Sequence, residues 1–250
     1  LWPTKIAEVV SKGYDQQVRE GWQFIPETFD RLCDWAAVVS DESVGKHVGL
    51  RHLVYDAAVM KDDDGGLCTV TIVLQGFLGK CALSALGNWK GSVYRDAPSA
   101  VQFMELESGG CDVPFGAQQR ALKDIRELIA LKVGGAVLDG GNSDDPVITL
   151  RRRVFTKVRP TDNGVTGVRL TDANDPNGFA RKVAHHWRVE GSISTAIRRP
   201  NGSNMAVAYD VLQPGDFVEV SATAYVEVVR TRKRRGTVIQ FEMHEVVRLL

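Results

Sequence analysis

The sequence predicts an α+β protein: a mixed region of helices and short strands over 1–140, then a mainly antiparallel β domain over 147–250. That domain reads as a small barrel or sandwich ending in a long hairpin. Three observations carry the prediction. From Val218 every second residue is apolar through Val220, Ala222, Ala224, Val226 and Val228, and the rule returns at Ile239, Phe241 and Met243, with Val247 and Leu249 beyond. Alternation of period two marks strands with one buried face. Helical spacing is clearest upstream, in Ala117–Leu131, where Ala121, Leu122, Ile125, Leu128 and Ile129 form one stripe. Between these regions lies the polar, glycine-rich run Asp139–Pro146, so 141–146 reads as a linker.

In chain order, Lys5–Lys12 has helical spacing and a stop at Gly13. A second helix is predicted over Pro26–Val39, with Pro26 in its first turn and Phe29, Leu32, Cys33 and Ala36 on its apolar stripe. Strand-like runs His52–Met60 and Leu67–Leu74 flank the turn Lys61–Gly66. Its three adjacent aspartates lack the alternate spacing and closing Glu of a calcium loop. Gln75–Cys81 has the context of a phosphate cradle, but Leu74 stands where the first glycine belongs and Cys81 where the Ser or Thr belongs. With apolar Phe77 and Leu78 between its glycines, it reads as a plain connection into a short helix, Ala82–Leu86. Trp89–Glu107 supplies one or two strands, with Val101, Phe103, Met104 and Leu106 inside. Downstream, Val147–Arg159 and Val165–Leu170 are strands, and Asp175-Pro176 caps a short helix over Asn177–His185. Trp187–Ile197 is a strand crossing Gly191, Ala206–Leu212 is another, and Gln213–Asp216 turns into the hairpin.

Composition bounds the function. An apolar fraction of 44% with 25% charged residues is ordinary globular usage, and no apolar run approaches the ~20 residues of a membrane span. No charged-then-apolar leader opens the sequence. Cys33, Cys68, Cys81 and Cys111 are scattered, which fits neither a disulfide framework nor a zinc site and reads as reduced, mostly buried thiols in an intracellular protein. The net charge of zero hides an asymmetry. Residues 147–250 carry 17 Lys and Arg against 10 Asp and Glu, so of the 31 of each kind in the chain, 14 and 21 fall in 1–146. Opposed halves imply an anionic partner for the basic half, or contact between the halves of one or several copies.

No nucleophile elbow is present, so no catalytic residue is named and the reading leans away from an enzyme. His185 and His186 are adjacent, and neighbouring residues do not converge on one ion, so neither metal nor cofactor is expected. The basic clusters stand above background. Arg151, Arg152, Arg153, Lys157 and Arg159 lie along one strand, Arg198 and Arg199 at a strand end, and Arg230, Arg232, Lys233, Arg234 and Arg235 at the hairpin tip. Cationic surfaces bind phosphate backbones through counterion release, and small barrels pair such surfaces with exposed rings to hold single strands. Tyr225 is the first candidate ring, followed by Trp187 and Phe155. The sequence therefore predicts a non-enzymatic nucleic-acid-binding protein, for single strands rather than duplex. The alternative is a self-assembling or protein-binding structural protein that forms homo-oligomers through its opposed halves. Arg232–Arg235 also reads as a nuclear address.

Overall fold

The computed structural model describes residues 26–40, 50–59, 65–91, 96–134, 136–139, 146–158, 168, 170–172, 174–230 and 235–249. The expected helix at Lys5–Lys12, the Asp62–Asp64 turn, the 141–145 part of the linker and the Asp162–Gly164 turn lie outside them. The described chain is mostly β sheet with few helices. Three α-helices are described: α1 (Phe29–Cys33), α2 (Asp112–Val133) and α3 (Phe179–Val183). The strands begin with β1 (Ala36–Ser40), β2 (Leu50–Tyr55), β3 (Thr71–Ala82), β4 (Val101–Glu107), β5 (Ala136–Asp139) and β6 (Ile148–Arg153). They continue with β7 (Phe155–Lys157), β8 (Trp187–Val189), β9 (Ser194–Arg198), β10 (Asn204–Ala206), β11 (Phe217–Arg230) and β12 (Arg235–Arg248).

Ten strands form one mixed sheet whose main path is β10-β9-β12-β11-β3-β4-β6. β7 and β8 form a separate two-stranded sheet. The long hairpin predicted from alternation is β11–β12, antiparallel along its whole length. On β11 the inward residues Val218, Val220, Ala222 and Val226 are fully buried and Ala224 is nearly so. On β12 the phase breaks: Ile239, Phe241 and Met243 point inward, then Val246 takes over. A bulge explains it, because Ser221 pairs with Glu245 while Ala222 pairs with Met243, which leaves His244 as the extra residue. Val247 and Leu249 enter a smaller cluster with Phe217 and Ala196.

β11 carries two neighbours on its other edge, β3 along Phe217–Thr223 and β2 along Tyr225–Glu227. Strands β3, β4 and β6 continue from it antiparallel, and the sheet curls until side chains of β6 reach β12. Arg152 Nε lies 3.7 Å from Glu242 Oε1, and Arg152 Nη1 donates to the Ser192 carbonyl at 3.4 Å. No backbone ladder joins β6 to β12 among the described residues, so the curl is not a closed barrel. The main core joins Leu32 and Leu53, the α2 stripe, Met104 and Leu106 of β4, Ile148 and Leu150 of β6, and the inner faces of β11 and β12. It thus draws on residues from both sides of 141–146.

Several expectations are corrected. The helix over Pro26–Val39 stops at Cys33: Thr28 caps it by accepting from Arg31 N–H at 3.3 Å, and the β-branched Val38 and Val39 continue instead as β1 paired with β2. Helix α2 starts at Asp112 rather than Ala117, because Pro114 sits in its first turn, where no N–H is needed. The expected strand Val147–Arg159 breaks at Val154 into β6 and β7, and Trp187–Ile197 breaks at Gly191, whose φ is 105°. Ala206–Leu212 is only the last residue of β10 followed by a turn of 3-10 helix, Tyr209–Val211. The short helix after Asp175 forms as predicted, with the Asp175 carboxylate accepting from Phe179 N–H at 2.8 Å and Ala180 N–H at 2.9 Å. Cys33 is exposed and the other thiols are half-buried, not core.

The largest correction concerns Gln75–Leu86, which is neither a loop nor a helix through Ala82. β3 runs on through it as far as Ala82, with a register shift between Leu78 and Cys81. Its glycines serve close packing. A Cβ on Gly76 would lie 3.0 Å from Leu106 Cβ and 3.2 Å from the Phe115 ring, and one on Gly79 would lie 2.6 Å from Glu107 Oε1. Gly116, inside α2, meets nothing within 4 Å. Gly76→Val is therefore expected to lower unfolding free energy by about 1–3 kcal/mol through overpacking. Gly116→Ala should raise it by about 0.5–1 kcal/mol through helix propensity. Denaturant titration of both variants reads the contrast.

Candidate nucleic-acid interface

Three consecutive arginines end β6, and strand geometry sends them to different faces. Arg152 follows Ile148 and Leu150 on the inner face and spends its charge on Glu242. Arg151 and Arg153 project outward and are exposed. The neighbouring strand β4 alternates in the same way: Gln102, Met104 and Leu106 are buried, whereas Val101, Phe103 and Glu105 are half-exposed and Glu107 is exposed. Direct cross-strand partners are Val101 with Arg153, Phe103 with Arg151, and Glu105 with Thr149. An aromatic ring thus stands opposite an arginine on an open sheet face.

This face floors a concavity of about 870 Å³. Lys80, at the irregularity of β3, adds a third cation, and Glu105 and Glu107 add two carboxylates. Asn88, Pro98 and Ser99 wall one side, while Gln240 of β12 lines the other. Asn88 is held in place by its Oδ1, which accepts from Val101 N–H at 3.0 Å. Gln102, on the inner face below, donates through Nε2 to the Ser84 carbonyl at 2.8 Å and the Gly191 carbonyl at 3.4 Å. That amide ties the approach to β4 to the chain between β8 and β9.

The other expected cations have different fates. Arg198 Nη2 meets Glu219 Oε1 at 2.8 Å with both side chains almost wholly buried, and Gln75 Nε2 donates to the second carboxylate oxygen at 2.8 Å. Its charge is neutralised inside the sheet. Arg199 is exposed in the turn after β9, and Lys157 is exposed on β7 as the cross-strand partner of Trp187. Arg230 and Arg235 are register partners at the end of the hairpin, and Tyr225 is the register partner of both Gln240 and His52. Arg159, Arg232, Lys233 and Arg234 lie outside the described residues. Phe155 is core, edge-on to Trp89 at 4.9 Å, and Trp187 packs against the same cluster. Outside the expected clusters, Arg181, Arg188 and Arg248 pair with Asp172, Glu190 and Asp216, acids of their own half.

The sequence reading missed Phe103, Lys80, Glu105 and Glu107 as face residues. Val101–Leu106 is apolar at both phases of a strand, so alternation alone did not say which phase is inside.

At the seam between β6 and β12 the charges perturb one another. Burial, helped by Glu190, raises the Glu242 carboxyl above its usual range, against the pull of Arg152 and Arg153. Burial and the Arg152 charge lower His244, whose Nε2 is 2.7 Å from Thr223 Oγ1. A lowered histidine binds protons more tightly in the unfolded chain, so its contribution is present above 6.5 and is lost as pH falls through the folded value. Stability should rise with pH just below 6.5, and His244→Gln should remove that rise; melting temperature across pH 5–7 measures it. For the internal pair, Arg198→Met should cost about 3–5 kcal/mol by stranding a buried carboxylate, and Arg198→Met with Glu219→Leu should recover most of it. Chemical denaturation of the two variants checks this.

No protein-family model matches the chain, and no curated protein matches it. Among solved structures it is similar to the single-stranded DNA-binding protein from bacteriophage Enc34. A C-terminal truncation of that protein has 10% identity and a TM-score of 0.33, covering 70% of this chain and 84% of that one. Its complex with ssDNA has 11% identity and a TM-score of 0.31, covering 82% and 92%. At these values the likeness carries neither fold nor function across.

Proposed function

We propose that this chain binds single-stranded nucleic acid along the outer face of β4 and β6. The observation that carries the reading is the pairing of Phe103 with Arg151 on that open face, flanked by Arg153 and Lys80. Phosphates take the cations, and bases stack on the ring, the combination on which sequence-tolerant single-strand binding rests. A duplex hides its base faces, so Phe103 has nothing to stack on there.

Strand order supports the same reading. Counted from β3, the strand path β6-β4-β3-β11-β12, with Arg152 and Glu242 bridging β6 to β12, follows the order first, second, third, fifth, fourth and back to first of a partly open Greek-key barrel of the OB type. In that architecture the second and third strands, with the loops after the first and fourth, form the binding face. Here those strands are β4 and β6. The loop after β11 has the sequence Thr231-Arg232-Lys233-Arg234, three cations in four residues. Lys157, exposed on β7, is a further cation of the same half of the chain. Arg152 and Arg198 are left out because acids already hold them.

The test is fluorescence-anisotropy titration of an oligothymidylate at several salt concentrations. Wild-type affinity should fall linearly with log salt. Replacing both Arg151 and Arg153 by Ala should flatten the slope by about 1.4, at about 0.7 per phosphate contact on a single strand. Phe103→Ala should weaken binding by about 1–3 kcal/mol and leave the slope unchanged. Affinity indifferent to salt and to both variants would sink the proposal.

A further inference from the structure

Resting on that reading, we infer that Glu105 reads a base edge in the cleft and selects guanine over thymine or uracil. Its placement is the first ground. Glu105 follows Phe103 on the same outer face, two residues along β4, at a spacing of about 6.6–6.8 Å. A base stacked on the ring therefore presents an edge to the carboxylate. Its surroundings are the second. Its direct cross-strand partner is Thr149, while the arginines stand opposite Val101 and Phe103. Among the described residues no ion pair or hydrogen bond engages the carboxylate. Glu107 differs, because its Oε1 is laid against the backbone of Gly79.

An unengaged carboxylate repels phosphates, so the backbone of a bound strand lies on the arginine side and bases point toward Glu105. The edge that answers two carboxylate oxygens has two adjacent donors, and guanine offers them as N1–H and its 2-amino group. Cytosine and adenine offer one amino group beside an acceptor. Thymine and uracil offer one N–H between two carbonyls, which face the carboxylate with like partial charge.

The experiment compares an oligothymidylate of about 12 nucleotides with versions carrying spaced guanines or, at the same positions, hypoxanthine, which lacks the 2-amino group. Wild-type protein should bind the guanine version roughly tenfold more tightly than the thymine one, with hypoxanthine between them. Glu105→Gln, isosteric and on an open face, should bring guanine and thymine within about twofold, partly by tightening thymine binding; circular dichroism checks that the variant is folded. Equal wild-type affinity for guanine and thymine, or a preference that survives Glu105→Gln, overturns the inference and leaves single-strand binding standing. Failure to bind any of the three overturns both. The hypoxanthine comparison needs no variant, so the inference remains falsifiable even if Glu105→Gln misfolds.

Discussion

The inward face of β11 is the constraint on which the rest of the structure depends. Val218, Val220, Ala222, Ala224 and Val226 all belong to the main core, and β12 pairs with the strand throughout. The other edge of β11 is shared. β3 occupies it up to Thr223 and β2 from Tyr225, so the sheet divides at one point of one strand. A single inward stripe then faces two groups of strands, and only a curled sheet can cover it from both sides. The curl brings β6 round toward β12, so that Gln240 of β12 lines the cleft together with the outer faces of β4 and β6.

Strand alternation also sorts the charge. A run such as Arg151-Arg152-Arg153 looks uniform in composition, yet period two gives its members two different tasks. Arg152 bridges the seam to Glu242, while its neighbours stay on the open face. Arg198, the last residue of β9, meets Glu219, whereas Arg199 in the turn beyond it is exposed. The excess of basic residues in the C-terminal half is therefore partly internal bracing. Among the described ion pairs, these braces use acids of the same half.

The alternation of β11 and of the first part of β12, the apolar stripe of α2 and the cap at Asp175 were legible in the sequence, because each is a local pattern with one physical solution. What was not legible depended on partners. The bulge at His244 exists because β12 changes which face is buried where β9 joins it, and nothing within residues 239–249 announces that. Gly76 and Gly79 suggested a loop, whereas they allow β4 and α2 to approach a continuous strand. Phe103 was assigned to the core because both phases of β4 carry apolar residues; only the register with β6 shows that it lies outside. The arginine clusters were visible, but which guanidinium groups face water is decided by acids tens of residues away, Glu219 and Glu242.

The cleft itself is less cationic than the sequence suggests. Three cations, Lys80, Arg151 and Arg153, share it with two carboxylates, Glu105 and Glu107. Long-range attraction for a polyanion is correspondingly small there, and counterion release at two or three phosphates gives only a shallow salt dependence. Binding at this face, as proposed, would therefore draw on stacking against Phe103 and on cations outside the cleft, such as Lys157 of β7. Carboxylates beside a phosphate track cost affinity wherever they stand. On the base side of the strand they return it as discrimination, which is the physical reason a mixed cleft suits a reader of bases better than a clamp on backbones.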